Sequence, residues 1–467
     1  MNLFNFGIRW MISVQTLPFI AASALNAEDG SVKTLHIVAP SHCAAFEERH
    51  EAWLKAQAFQ AKVGQYARLP EGAALFVVAP EKAEDPSVYG VLGTALDAGD
   101  WRVALDGVAE EARSAVVLGF AMGAYRYHVR GRDAFVARLV VDERDAGALA
   151  FAEANRLGRD LINTPANLLG PVELAEQARE ALVARGAAVE IVQGDALRTA
   201  YPCLAAVGEG SDRPSQVVIG RWQKREGAPL VSLVGKGVCF DTGGYDLKPP
   251  AGMLRMKKDM GGAALALAVA CTVIDLGLDV SLEVRLGCVE NSVSGHAMRP
   301  GDVLMTRSGK TVEVGNTDAE GRLVMCDLLT EASEHTPAWL LDMATLTGAA
   351  RVALGPDLPA LFANDDNVAE IFCESAKTSA DPLWRMPLWH GYDAWLDSKI
   401  ADMGNITAKP MAGAITAALY LQRFVPKGQK WCHIDTYAWN DASTPGRPEG
   451  GETLGLRAIV GAIAKLC

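Results

Sequence analysis

Four carboxylate side chains in this sequence occupy positions where metal ions could be bound. Asp241 closes a segment that starts with the apolar run 230–234, and Asp259 directly precedes a glycine-rich apolar stretch. Asp318 and Glu320 are two residues apart, so both side chains would project to one side of an extended stretch. Carboxylates that converge without histidine suit Zn²⁺, Mn²⁺ or Mg²⁺. Their four negative charges would balance two divalent ions, whereas without metal their repulsion would raise their pKa values.

Each of these residues also has an ordinary structural interpretation. A single Asp before a helix is more often an N-cap than a ligand. Gly243-Gly244 is typical of a turn, Lys248 is typical of a solvated loop, and Asp318 and Glu320 could be a surface pair. Lys236 could be a ligand only if it is neutral, which requires a neighbouring cation that lowers its pKa. Spacing alone therefore does not decide between a metal site and structural roles.

The elements that must position these residues alternate between strands and helices. Short apolar runs predict strands at residues 35–38, 73–78, 137–141, 217–219, 230–234, 282–289 and 338–343. Residues 115–118 are interpreted as a strand that leads into a helix, and further helices are predicted over 146–162 and 263–278. Another helix should start near Gly321, with Arg322 on its first turn. This alternation predicts an α/β fold with a helix-covered, mostly parallel sheet, whose sites lie at the C-terminal ends of strands.

The same pattern divides the chain into two domains preceded by a leader. Residues 31–150 are interpreted as a small N-terminal α/β domain and residues 151–467 as a larger C-terminal catalytic domain, which contains all the candidate ligands. Residues 1–30 resemble a poor signal peptide, with Arg9, an apolar run and small residues, but the scattered cysteines favour a non-native or misassigned start or a loose leader before the first strand. The apolar stretch 260–274 is too short to span a bilayer, so no membrane association is expected.

The composition indicates a globular protein of a reducing compartment. The 467 residues are 50% hydrophobic and carry a net charge of −12. Nine scattered cysteines without a CxxC pair argue against a disulfide framework or a zinc ribbon. The acidic balance makes nucleic-acid binding unlikely, since binding would need a local basic groove. The first domain's arginines are interleaved with acids, which favours a solvated face: Arg113, Arg126, Arg130, Arg132, Arg138 and Arg144.

Several segments resemble one known family, and standard HExxH, GxSxG and Walker A signatures are absent. The string NTDAEGRL at 316–323 is similar, letter for letter, to the signature of the leucine aminopeptidase (cytosol aminopeptidase) family. Supporting segments are VGKGxxFDxGGxxxK at 234–248, KKDMGGAA at 257–264, RPGDV at 299–303, SGKTVEV at 308–314 and ATLTGA at 344–349. The resemblance covers about residues 155–467. Thr242, Tyr245 and Asp246 depart from the usual pattern, but no ligand position is substituted.

The resemblance implies a role for each candidate residue. One ion would be held by Lys236, Asp241, Asp259 and Glu320, and the other by Asp241, Asp318 and Glu320, with the main chain of Asp318 contributing. Lys248 would contact the substrate carbonyl, and Arg322 would position a bicarbonate that acts as general base. The side chain of the substrate's N-terminal residue would enter a pocket lined by Met256, Thr345 and Gly348. Such a neutral pocket would suit Leu or Met, and a charged side chain would meet no partner there.

The expected function is therefore that of a two-metal aminopeptidase acting on peptides, with Mn²⁺, Zn²⁺ or Mg²⁺ as cofactors. The resemblance also implies a cytoplasmic homohexamer. Two alternatives stay open. Four carboxylates and two cations would also serve another two-metal hydrolase such as a phosphoesterase, although Lys248 and the pocket residues argue against it. A DNA-binding role is the second alternative.

Overall fold

The computed structural model describes residues 17–25, 31–129 and 135–466. Its contacts separate two units. The first comprises the residues up to Glu153 together with Ser443–Pro448, and the second comprises Ala154–Ala442 and the residues from Glu449 onward. The segment Ser443–Pro448 belongs to the first unit although it is nearly 300 residues away in sequence, so chain order alone does not define the units.

The first unit is built on a six-stranded sheet. Its strands are β1 (Phe19–Ala21), β2 (Lys33–Val38), β3 (Tyr66–Arg68), β4 (Ala74–Val77), β5 (Gly99–Asp106) and β6 (Ala137–Val141). Their spatial order is β1-β6-β5-β2-β4-β3, and every neighbouring pair is parallel except β3 with β4. The unit also contains helices α1 (Cys43–Ala56), α2 (Leu92–Ala95), α3 (Ala112–Ala124) and the start of α4 (Ala146–Asn163).

Two sequence-based expectations for this unit need correction. Residues 115–118 are not a strand, because they lie inside α3, which is buried on nearly all sides. An apolar run that is buried all round shows no helical periodicity, and its valines favoured a strand. The interpretation of residues 1–30 as a leader missed β1, in which Phe19 pairs with Leu139 of β6. Residues 1–16 and 26–30 of that segment lie outside the described residues.

The arginines considered for nucleic-acid binding are largely engaged with carboxylates. Ion pairs at 2.8 Å join Arg113 to Asp145, Arg138 to Asp100 and Arg144 to Asp142. Arg126 donates to the backbone carbonyls of Gly123 and Tyr125. Arg130 and Arg132 lie outside the described residues. These contacts favour a face whose charges are neutralised internally.

The second unit contains an eight-stranded sheet and two small ones. The large sheet consists of β7 (Ala188–Gln193), β8 (Gln216–Gln223), β9 (Leu230–Asp241), β10 (Ser281–Asn291), β13 (Trp339–Ala344), β14 (Ala360–Ala363), β15 (Trp384–Arg385) and β17 (Trp431–Asp435). The small sheets consist of β11 (Val303–Met305), β12 (Thr311–Glu313) and β16 (Met403–Gly404), and of β18 (Trp439–Asn440) and β19 (Gly450–Gly451). The large sheet has the order β15-β14-β17-β13-β9-β10-β8-β7, in which the central strands β17, β13, β9 and β10 are parallel. Their C-terminal ends therefore meet at one edge.

Helices surround this sheet. They are α5 (Pro171–Val183), α6 (Gly194–Ala200), α7 (Pro202–Gly208), α8 (Pro250–Met253), α9 (Gly261–Asp275), α10 (Glu320–Glu334), α11 (Gly348–Leu354), α12 (Asp366–Thr378), α13 (Gly413–Gln422) and α14 (Leu456–Ala464). The residues of α9 from Gly261 to Ile274 are all buried. A Cβ at Gly262 would lie 2.2 Å from the carbonyl oxygen of Met343, so only glycine lets α9 start against the end of β13.

The predicted α/β fold class is confirmed, because both units combine a mainly parallel sheet with helices. In the described part of the chain, no helix is long and apolar enough to cross a membrane.

Candidate metal centre

Three segments of the second unit bring the candidate ligands together at the C-terminal edge of the large sheet. Lys236 and Asp241 belong to β9, Asp259 lies in a 3-10 helix just before α9, and Asp318 and Glu320 lie at the start of α10. One side-chain oxygen from each of Asp241, Asp259 and Glu320 lies within 4.8 Å of the others, and all three residues are buried. The spatial convergence that the sequence could only suggest is thus present.

Lys236 lies inside this carboxylate cluster. Its Nζ is 2.7 Å from Asp259 Oδ2 and 2.8 Å from Glu320 Oε1, and it donates to the carbonyl of Thr345 at 3.0 Å. Burial alone would lower the pKa of Lys236, but the charges of Asp259, Glu320 and Asp241 outweigh it and raise the pKa. A Cβ at Gly321 would lie 2.8 Å from Lys236 Nζ, so glycine at this position leaves room for the lysine.

Lys248 also lies in the cluster and not in a solvated loop. Its Nζ is 2.8 Å from Asp241 Oδ2 and contacts Asp318 Oδ1. Burial acts to lower the pKa of Lys248, but Asp241 and Asp318 raise it above the ordinary value. The ammonium is therefore charged and directed at the candidate ligands.

The electrostatics of the carboxylates fit a cation site. Burial, reinforced by the charge of Asp241, raises the pKa of Glu320 and of Asp318, although the neighbouring lysines oppose this rise. Asp259 Oδ2, Asp318 Oδ1 and Glu320 Oε1 are buried and accept no hydrogen bond of good geometry, so their contacts are ion pairs with lysines only. Buried carboxylate oxygens that lack hydrogen bonds are a suitable donor set for hard or borderline divalent cations. The residues present therefore fit a metal centre.

Asn291 and Asp246 hold the ligand segments in place. Asn291 Nδ2 donates to Asp241 Oδ1 at 2.8 Å and to the carbonyl of Thr317 at 3.1 Å. Asp246 Oδ2 accepts from the backbone N–H of Thr317 at 2.8 Å and from its hydroxyl at 3.1 Å. Sequence reasoning missed both roles. The signal for Asp246 was its departure from the family pattern, which placed an acidic side chain in the loop between Asp241 and Lys248.

The expectation that Asp318 and Glu320 project from an extended stretch was wrong. The segment from Thr317 to Ala319 is a turn, and Glu320 is the first residue of α10. The backbone N–H of Asp318 donates to Asn316 Oδ1 at 2.7 Å. An Asn side chain that bonds to the backbone two residues later stabilises a turn in place of extended backbone.

Arg322 lies on the first turn of α10, as predicted, and is half-buried. Its guanidinium donates to the carbonyl of Asn405. Desolvation lowers the pKa of Arg322 to about 10, although Tyr420, Asp435 and Glu320 oppose this shift. The side chain is thus charged at neutral pH. Among the described residues no carboxylate forms an ion pair with it, so the guanidinium is available to an anion.

Of the three predicted pocket residues, Thr345 contacts the cluster directly. Thr345 follows β13 directly, and its hydroxyl donates to the carbonyl and to Oδ1 of Asp259, at 2.9 and 2.8 Å. Met256 begins the 3-10 helix Met256–Met260 that carries Asp259. Gly348 begins α11, and a Cβ placed there would meet no atom within 4 Å, so the space beside it is open.

Sequence reasoning missed a group of cations around Tyr437, in and beside the 3-10 helix that carries Asp259. Lys258 Nζ lies 4.7 Å from the centre of the Tyr437 ring, and Arg351 Cζ lies 4.9 Å from it. Arg255 donates to the Tyr437 hydroxyl at 3.2 Å. Burial lowers the pKa of Lys258 to about 8, a shift that Asp259 opposes. The only signal in the sequence was the position of Lys258, directly before the candidate ligand Asp259. The fold alone shows that Lys258, Arg351 and Arg255 all contact Tyr437.

Comparisons with known proteins agree with this geometry. A model of the cytosol aminopeptidase family, catalytic domain, matches residues 156–460, and a model of the M17 aminopeptidase N-terminal domain matches residues 40–142. The chain belongs to the cytosol aminopeptidase family. A probable cytosol aminopeptidase of Xanthobacter autotrophicus is 42% identical over 345 residues, which span 70% of this chain and 69% of that relative.

Solved structures are similar over nearly the whole chain. The crystal structure of a cytosol aminopeptidase from Coxiella burnetii is 38% identical with a TM-score of 0.89, and the match covers 96% of this chain and 99% of that one. The bottromycin maturation enzyme BotP in complex with Mn is 32% identical with a TM-score of 0.84, over 94% of this chain and 99% of that one. Family membership confirms the expected enzyme class, a metal-dependent aminopeptidase, and it argues against the phosphoesterase alternative.

Proposed function

We propose that this cytosol aminopeptidase relative removes N-terminal residues from peptides with the help of two divalent ions. Lys236, Asp241, Asp259 and Glu320 would hold one ion, and Asp241, Asp318 and Glu320 the other. The observation that carries this proposal is the cluster of buried carboxylates whose oxygens Asp259 Oδ2, Asp318 Oδ1 and Glu320 Oε1 accept no hydrogen bond of good geometry. The manganese complex of the related BotP supports Mn²⁺ as one candidate, beside Zn²⁺ and Mg²⁺.

A pair of such ions, when bound, lowers the pKa of a water and polarises the scissile carbonyl. The chain's own residues supply the remaining functions. Ions at Asp241 and Asp318 would compete with Lys248 for these carboxylates, and the released ammonium would stabilise the developing oxyanion. The planar guanidinium of Arg322, which has no carboxylate partner among the described residues, suits two oxygens of a bicarbonate that serves as general base.

The position of the pocket accounts for the expected preference for a neutral N-terminal residue. Thr345 is hydrogen-bonded to Asp259, so a side chain bound there would hold the substrate's amino end beside the ligand cluster. The open space at Gly348 and the side chain of Met256 would accommodate a residue such as leucine. Peptides would be the substrates, and by analogy with the named cytosol aminopeptidases the protein would act in the cytoplasm. A homohexamer is part of the same proposal.

The metal proposal is tested with protein stripped by a chelator and supplied with Mn²⁺, Zn²⁺ or Mg²⁺. Hydrolysis of leucine amide should stop on stripping and return with metal, and elemental analysis should find two ions per chain. Asp318→Asn should remove at least one ion. The matched control is Asp397→Asn, because Asp397 is exposed and pairs with Arg423; it should keep both ions. Full activity in metal-free Asp318→Asn would refute the proposal.

A further inference from the structure

Lys258 is a buried lysine whose ammonium has no polar partner in the described part of the chain. Its residue surface is only 5% exposed, and its ammonium lies 4.7 Å from the centre of the Tyr437 ring. The charges of Asp259 and Asp435 act on it from beyond ion-pair distance. The adjacent Lys257 differs, because it donates to the carbonyl of Asn163 at 2.6 Å. Buried charges in proteins are normally paired or hydrogen-bonded, since desolvation is costly. A buried ammonium without an ion pair is therefore a group that an anionic ligand would stabilise.

Two further cations lie beside Lys258, and the nearby carboxylates are engaged with other groups. Arg351 lies on the same Tyr437 ring, and Arg255 donates to the Tyr437 hydroxyl. The carboxylate of Asp441 is occupied by the guanidinium of Arg255. Two further carboxylates are already engaged: Asp435 accepts from the backbone of Leu346 and from Thr347, and Asp259 is bonded to Thr345 and Lys236. Asp259 and Asp435 therefore act on Lys258 only at longer range, without an ion pair.

These cations border the space assigned to the substrate's N-terminal side chain. Lys258 is two residues from Met256 in the same 3-10 helix, and Arg351 is one turn after Gly348 in α11. The loop that carries Tyr437 lies near Thr345, because a Cβ at Gly261 would lie 2.4 Å from the Cβ of the neighbouring Ala438 and 3.1 Å from Cγ2 of Thr345. Two separate segments thus bring positive charge to Tyr437.

We infer that Lys258 is a specificity-determining residue that pairs with the side-chain carboxylate of an N-terminal Asp or Glu. The pocket then accepts acidic residues as well as neutral ones such as leucine. This inference rests on the proposed aminopeptidase function and revises the expectation that a charged side chain finds no partner. A substrate carboxylate would supply the ion pair that buried Lys258 lacks. Arg351 is exposed and contributes less, because water and salt screen its charge.

The test compares Glu and Gln aminoacyl-methylcoumarin amides, which have the same size, differ in charge and carry no C-terminal carboxylate. The wild-type enzyme should hydrolyse the Glu substrate with a kcat/KM at least equal to that of the Gln substrate. Lys258→Met should lower the Glu-to-Gln ratio about tenfold or more, the effect of one charge-assisted contact. Lys258→Arg, which keeps the charge, should restore much of the ratio. The matched control Lys257→Met should leave the ratio unchanged.

The outcomes separate this inference from the proposed function. If Gln and Leu substrates are hydrolysed in a metal-dependent reaction but the Glu-to-Gln ratio is far below one, or is unchanged in Lys258→Met, the specificity inference is wrong and the peptidase proposal stands. If Lys258→Met changes only the preference for Leu-Gly over Leu-Gly-amide, Lys258 binds the substrate's C-terminal carboxylate and the inference is again wrong. If no substrate is hydrolysed by metal-loaded enzyme, the proposed function itself fails.

Discussion

Removal of the Asn291 side chain should weaken both the fold and the metal site. The amide joins two ligand segments, since it donates to Asp241 Oδ1 at 2.8 Å and to the carbonyl of Thr317 at 3.1 Å, and the residue is 2% exposed. The bond to a carboxylate is worth about 2 kcal/mol and the bond to a carbonyl about 1 kcal/mol. We therefore expect Asn291→Ala to lower the free energy of unfolding by about 3 kcal/mol.

The same substitution should lower metal affinity, because Asp241 would lose a hydrogen bond that fixes its orientation. Loss of such a supporting contact typically weakens metal binding by about 10–100-fold. Urea unfolding of stripped protein measures the first effect, and calorimetric titration with Mn²⁺ measures the second.

The matched control is Asn364→Ala, which removes an amide that bonds to Gln429 and Trp431, outside the ligand cluster. This control should lose stability without losing metal affinity. If Asn291→Ala and Asn364→Ala bind Mn²⁺ equally well, Asn291 is an ordinary structural residue and the reasoning from its contacts is refuted.

Two further sets of variants test other contacts. Lys248→Ala should keep its metal content and lower turnover about 100–1,000-fold, as expected for a charge directed at an oxyanion; unchanged turnover would remove Lys248 from the catalytic residues. Arg322→Ala should be milder, about tenfold, because buffer anions can replace a bound bicarbonate. Asp342 raises the pKa of buried His433, which burial alone would lower. The ion pair's stabilisation is therefore fully present below the unfolded pKa of about 6.5 and is lost as the pH rises through the raised pKa. Asp342→Asn should thus destabilise more at pH 6 than at pH 9 in urea unfolding, and an equal loss at both pH values would contradict the pairing.

Local patterns in the sequence were enough to predict the fold class, the family and the position of Arg322. The alternation of apolar strands with helices was enough for the fold class, because hydrophobic periodicity is a property of short segments. The string 316–323 and the segments around it were enough for the family, which the family models confirm. The placement of Arg322 on the first turn of a helix followed from its distance to Gly321. Where burial is complete, as in α3, the periodicity disappears and the prediction failed.

Only the tertiary structure decided which side chains meet. Lys248 contacts Asp241 and Asp318, which are 77 residues apart in the chain, and Asn291 bridges two ligand segments. The cations around Tyr437 come from the segments of Lys258 and Arg351, and nothing in the local sequence of either segment indicates their convergence on one ring. The edge strand β1 likewise exists through its pairing with β6, more than 100 residues later. Such contacts depend on how parallel strands align their ends, and that alignment is set by packing across the whole sheet rather than by local residue preference.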